Sequence, residues 1–193
     1  MPEATVPGLR ITRLHVRRGR LDILTSTPLA LLHVSEDVAQ RTLQLLPNLR
    51  NHVCVHTRAG GGTFGGELVG TELAHLFEHV VIELQAQAHG GAAAAGTRGA
   101  QPQAPGGVVA GTPPQAPQLI GHTSWAEELA VTGPQGYALM RTTVTFANDL
   151  VALQAAKDAV ELLNWACAPE APQPALDVAA LVERLRGLAA RSR

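Results

Sequence analysis

Residues 70–85 read GTELAHLFEHVVIELQ, and their spacing predicts an α-helix. Leu73, Leu76, Phe77, Val80 and Leu84 recur at i, i+3, i+4, i+7 and i+11, the stripe that an amphipathic helix buries. A second set, His75, Glu78 and His79, stands in the order H-x-x-E-H, the inverted zinc-peptidase arrangement. Side chains four apart lie about 40° apart around a helix, so two imidazoles at that spacing can reach one cation. Glu78, one turn beyond His75, is then placed to handle the proton of a water molecule. Glu83 continues this face four residues after His79, and Glu72 precedes it. The helix is therefore expected to pack on one side and to carry ligand-type residues on another. The bland alternative is a polar helix face whose histidines happen to be four apart.

Composition bounds what surrounds this helix. The chain has 193 residues, 46% hydrophobic and 16% charged, enough apolar material for one domain with a core of its own. Aromatic residues are only 3%, so the core falls to Leu, Val and Ala. A net charge of −1 gives no electrostatic footprint for nucleic acid. No run of 18 apolar residues is present, which argues against a membrane span. The opening MPEATVPGLR lacks the basic and apolar regions of a signal peptide. Cys54 and Cys167 are too few for a disulfide framework, and a reducing, cytoplasmic setting is expected.

Upstream of the helix, NHVCVHT at 51–57 reads as a short strand that turns His52, Cys54 and His56 to one face. Such soft and borderline donors suit a metal, although in isolation ordinary packing explains them better, and the metal reading gains weight only from the His pair on the helix that follows. AGGGTFGG at 59–66 reads as a flexible loop; without G-x-x-x-x-G-K-[ST] it is no nucleotide cradle. SEDVAQRTLQLL at 35–46 reads as a helix with Ser35 as N-cap and Pro47 as its stop. LRITRLHVRRGRLDIL at 9–24 reads as strand–turn–strand, its arginines marking a solvated edge. Downstream, residues 90–118 are rich in Gly, Ala, Pro and Gln and read as a disordered insert. A short helical turn is expected from Ser124, a turn at 133–136 and a strand at Tyr137–Phe146. A helix capped by Asn148 or Asp149 should run to Trp165, and an amphipathic helix should span 175–190 after a Pro-rich linker. The expected fold is α+β: a small mixed sheet from 9–24, 51–57 and 137–146 covered by helices, with 1–167 as the domain and 168–193 as linker and terminal helix.

Several stretches together resemble the N-terminal domain of cyanophycin synthetases. They are Leu46-Pro47-Asn48-Leu49-Arg50-Asn51-His52-Val53-Cys54, the Gly70-Thr71 start of the helix that runs from His75 to Gln85, and PQGYALMRTTVTF before an alanine-rich helix. The likeness extends over 14–90 and 119–165. In that family the domain precedes an ATP-grasp and a Mur-ligase-like domain that polymerise Asp and Arg. Neither is recognisable here, so a stand-alone N-terminal domain without the synthetic activity is expected. In some members the N-terminal domain is itself a metallopeptidase-like hydrolase that cuts cyanophycin into primers. The resemblance makes His75 and His79 metal ligands and Glu78 the residue that activates water. Glu83 matches the family's second helix glutamate, and His52 its histidine before the cysteine. The sequence departs from the family after Tyr137, where Ala138 follows, and in the strand, where Thr142 or Thr143 stands in place of a glutamate.

The expected function is thus a zinc-dependent, peptidase-like hydrolase of cyanophycin or a related Asp/Arg-type peptide. Catalytic zinc takes three protein ligands and an open position. His75 and His79 supply two, Glu83 is the third by its helix face, and His52 is the rival. Glu127, Glu128 or Asp149 would receive the substrate's guanidinium groups. Partners are then a peptide or cyanophycin-like polymer, with a homo-oligomer left open and neither nucleic acid nor membrane expected. The competing reading is a non-catalytic binding or assembly module. Retention of Glu78 separates the two, because a scaffold has no need of a carboxylate beside a histidine pair.

Overall fold

The structure is a computed structural model that describes residues 8–54, 63–90, 119–126, 136–168, 170 and 176–191. Arg10–Arg17 (β1) and Arg20–Pro28 (β2) form a hairpin whose last pair is Arg17↔Arg20. Gly19 takes φ 69° in the turn, a left-handed conformation that tight hairpins require and glycine adopts freely. β2 alternates strictly: Leu21, Ile23, Thr25 and Thr27 are buried and the residues between them are not. Tyr137–Thr145 (β4) lies antiparallel along β2, and Gly121–Trp125 (β3) lies antiparallel on the far side of β4. The sheet order is β1-β2-β4-β3. The arginine-rich β1 is therefore an edge strand, as its charges predict.

Five helices complete an α+β fold: α1 (Glu36–Leu45), α2 (Phe64–Glu67), α3 (Leu73–Ala88), α4 (Asp149–Cys167) and α5 (Val178–Arg191). Ser35 caps α1 by accepting the Val38 N–H at 3.3 Å, and Asn148 caps α4 by accepting the Val151 N–H at 3.1 Å. Of the two candidate caps for α4, Asn148 takes the role and Asp149 opens the first turn. α3 is the centre of the domain, packed against β3, β4, α4 and α5.

Four expectations need correction. Fourteen of the 16 residues of α3 are buried, so the helix is enclosed rather than two-faced, and its polar side chains lie inside. Residues 51–54 are not a sheet strand. A 3-10 turn over Pro47–Asn51 leads into an extended segment that makes one isolated bridge, Val53↔Thr63. The expected alternation is still present, with His52 and Cys54 buried and Val53 exposed. GHTSW at 121–125 is a strand rather than a helical turn, and it makes the sheet antiparallel throughout rather than mixed. Finally, the glycine-rich stretch ends in the turn of helix α2. The expected insert and the residues 55–62 and 127–135 lie outside the described residues, apart from Gly90 at the end of α3.

α5 docks on its own domain, against α3 and α4, with Leu181 and Leu185 buried. Arg184 Nη2 donates to the buried Asp158 Oδ1 at 2.6 Å, tying α5 to α4. Among the described residues no helix is long and apolar enough to cross a membrane.

Candidate metal centre

The helical spacing of His75 and His79 sets their rings 5.0 Å apart, centroid to centroid. The 52–54 segment brings Cys54 to them, with Sγ 3.2 Å from His75 Nε2. One donor atom from each of Cys54, His75 and His79 lies within 4.8 Å of the other two. Tetrahedral zinc, with sulfur at about 2.3 Å and imidazole nitrogen at about 2.0–2.1 Å, needs donors roughly 3.3–3.6 Å apart. The Cys54–His75 pair, at 3.2 Å, is slightly closer than that, and a pair as far as 4.8 Å apart must close by about 1.5 Å at most. The donor set therefore fits a borderline-soft cation such as zinc.

Neighbouring groups fix both rings. Phe64, on α2, stacks on His79 with centroids 3.7 Å apart at 17°, and meets His75 edge-on at 5.4 Å. α2 reaches this position because Phe64 N–H donates to the His52 carbonyl at 2.7 Å. Gly65 also lets it pass close: a Cβ there would sit 2.9 Å from Arg50 Cα. Thr71 Oγ1 lies 3.0 Å from His75 Nδ1. That bond leaves Nε2 as the atom facing Cys54.

Behind His79 runs a buried relay. His79 Nδ1 is 3.1 Å from His52 Nδ1, and His52 Nε2 is 2.8 Å from Glu83 Oε2. An ionised Glu83 can only accept, so His52 carries its proton on Nε2. Neutral His52 then accepts at Nδ1 from His79 Nδ1–H, which leaves the His79 Nε2 lone pair for a metal. Carboxylate-to-histidine bonds of this kind orient a ligating ring and raise its basicity. Glu83 is fully buried. Burial pushes its carboxyl pKa up, but hydrogen bonds from His52, Gln87 (2.6 Å) and Asn48 (3.1 Å) outweigh burial and hold it below the ordinary value.

The donors that the fold gathers are thus Cys54, His75 and His79, not Glu83. Eight residues from His75, Glu83 lies about 12 Å further along the helix axis, although its angular position is similar. His52, the rival third ligand, stands one bond behind His79. Asp149 is exposed at the start of α4, where its Oδ1 accepts the Leu150 N–H; Glu127 and Glu128 lie outside the described residues.

Glu78 is held differently. It is buried, and its Oε2 accepts one hydrogen bond, from Thr123 Oγ1 at 2.6 Å. Thr123 in turn lies 3.1 Å from Thr142 Oγ1. Desolvation raises the Glu78 pKa to about 7, and the Thr123 bond only partly opposes it. Gly121 makes room for the carboxyl group: a Cβ there would meet Glu78 Oε1 at 2.4 Å. Reading the sequence missed Thr123, Gly121, Phe64 and Thr71, because their roles exist only once β3 and α2 are docked on α3.

The family model of the cyanophycin synthase-like N-terminal domain matches residues 27–109. Over those residues the chain is similar to that family. The match contains α1, α2, α3 and all three candidate ligands. No curated protein matches the chain.

Proposed function

We propose that the protein is a metal-dependent hydrolase of the peptidase type, acting on cyanophycin or a related Asp/Arg-type peptide. One observation carries this reading: Cys54, His75 and His79 converge within 4.8 Å, and a buried carboxylate, Glu78, stands on the same helix between the two histidines. Zinc held by these three side chains would supply a Lewis acid that polarises a peptide carbonyl and acidifies water at neutral pH. Glu78 receives the proton of the attacking water and passes it to the leaving amine, work that suits a carboxyl group with a pKa near the operating pH. Thr123 holds one carboxylate oxygen in place, and the Glu83–His52 relay keeps His79 in its ligating tautomer. The substrate class comes from the family likeness.

Elemental analysis should find about one zinc per chain, lost in Cys54→Ser and His79→Ala. Glu78→Gln should keep the metal and cut cyanophycin or an arginine-rich peptide about 10²–10⁴-fold more slowly. Full metal occupancy without Glu78-dependent cleavage would instead favour a binding module.

A further inference from the structure

A pocket of about 210 Å³ opens beside His75, lined by Glu72, His75, Thr123, Ser124, Trp125 and Met140. It is smaller than the roughly 300–1,000 Å³ of sites that enclose drug-sized ligands, a volume suited to a single side chain. Two of its walls do no evident structural work. Glu72 occupies the N-cap position of α3 yet makes no side-chain capping bond. Among the described residues its carboxylate has no ion pair or hydrogen bond. Trp125 ends the edge strand β3 with 46% of its surface exposed. Along β3, Gly121, Thr123 and Trp125 share the parity that faces α3, and Thr123 reaches Glu78 from that face. The indole therefore borders the same pocket as the candidate ligand His75.

We propose that this pocket binds a cationic side chain, a guanidinium or ammonium group, with Glu72 as its counter-charge and Trp125 as the face on which it stacks. A carboxylate without a partner attracts a cation, and an indole beside it adds a cation–π contact worth more where water is excluded. The methylene stem of such a side chain finds apolar contact on Met140. Occupancy would place the residue bearing that side chain next to His75, and so next to Glu78. The pocket thus selects for basic residues at the candidate centre, a role that rests on the hydrolase reading although binding itself does not.

The test uses the chain as purified. Nα-acetyl-arginine amide is titrated by calorimetry at low salt, with indole fluorescence as a second signal, and Nα-acetyl-citrulline amide serves as the uncharged mimic. Saturable binding of the arginine compound is expected, at least ten-fold tighter than that of the citrulline compound and weaker at high salt. Glu72→Gln and Trp125→Leu should each lose ten-fold or more, and circular dichroism checks that both remain folded. Equal binding of the two compounds, no saturable binding, or unchanged binding in a folded Glu72→Gln variant would overturn the proposal. Intact arginine binding without any peptide cleavage would sink the hydrolase reading alone. Cleavage that treats arginine and citrulline peptides alike would sink the pocket alone.

Discussion

α3 carries two buried glutamates five residues apart, and they behave in opposite ways. Among the described residues Glu78 accepts a single hydrogen bond, and burial raises its pKa to about 7. Glu83 is buried still more completely, yet three donors hold it below its ordinary value. Both are removed from solvent, and the clearest difference between them is the number of hydrogen-bond donors aimed at each carboxylate. Glu83 is kept as a permanent anion that orients His52 and, through it, His79. Glu78 is kept able to gain and lose a proton near neutrality. One helix thus supplies both an orienting charge and a carboxyl group with a raised pKa, divided by what the neighbouring elements offer: His52 and Asn48 around Glu83, and, among the described residues, little beyond Thr123 around Glu78.

The largest effect should come from removing the anion. Glu83→Ala leaves His52, Asn48 and Gln87 facing a buried gap, and each hydrogen-bonding group stranded there costs about 1–3 kcal/mol. Chemical denaturation should show this loss. The milder Glu83→Gln should fold and bind zinc about 10–100-fold more weakly, as expected when the group that orients a ligating histidine is changed. A Glu83→Gln variant with native stability and native zinc affinity would erase the distinction between the two glutamates.

Next in size is a pH effect of opposite sign at each site. The Glu78 carboxyl group is raised from 4.5 to about 7 on folding. The folded metal-free protein therefore holds that proton more tightly than the unfolded chain does. Its contribution to stability is fully present below about pH 4.5 and is lost as pH rises to about 7, about 3 kcal/mol in all. Glu78→Gln should accordingly stabilise the metal-free protein at pH 8 by up to about 3 kcal/mol, and the gain should vanish near pH 4.5. Glu83, with its lowered value, contributes above about pH 4.5 and loses that contribution as pH falls further. Denaturation curves at pH 4, 6 and 8 for both variants would expose any site that follows the wrong slope.

A smaller effect isolates the one donor at Glu78. Thr123→Val removes a hydrogen bond to a buried carboxyl group at a cost of about 1 kcal/mol in the metal-free protein at high pH. It should also move the acid limb of the hydrolysis profile upward. An unchanged profile would mean that Thr123 does not tune Glu78. Gly121→Ala should disturb the same carboxyl group by crowding, since the added methyl would overlap Oε1.

Much of this architecture could be read from the sequence, and the failures have physical causes. The β1–β2 hairpin, the caps Ser35 and Asn148 and the helix α3 follow from local signals: turn glycine, capping side chains and apolar period. The His75–His79 pair follows from the same helical period. The third donor of the gathered set does not. Glu83 looked right because angular position is easy to count along a helix, whereas its two further turns of axial rise separate it from His75. Cys54 shared a face with His52 in the expected strand, and that alternation holds. Its approach to His75, however, depends on the 3-10 turn at Pro47–Asn51 and on α2. β3 was unreadable because GHTSW has no apolar alternation; β4 supplies its hydrogen bonds and α3 its inner face.

The central claim is that Cys54 joins the two histidines in holding a cation while Glu83 stays behind them as an anion. X-ray absorption on the zinc-loaded chain tests it most directly. The account predicts one sulfur at about 2.3 Å together with nitrogen neighbours at about 2.0–2.1 Å, and loss of the sulfur signal in Cys54→Ser. A zinc shell built only of nitrogen and oxygen, unchanged in Cys54→Ser, would contradict it.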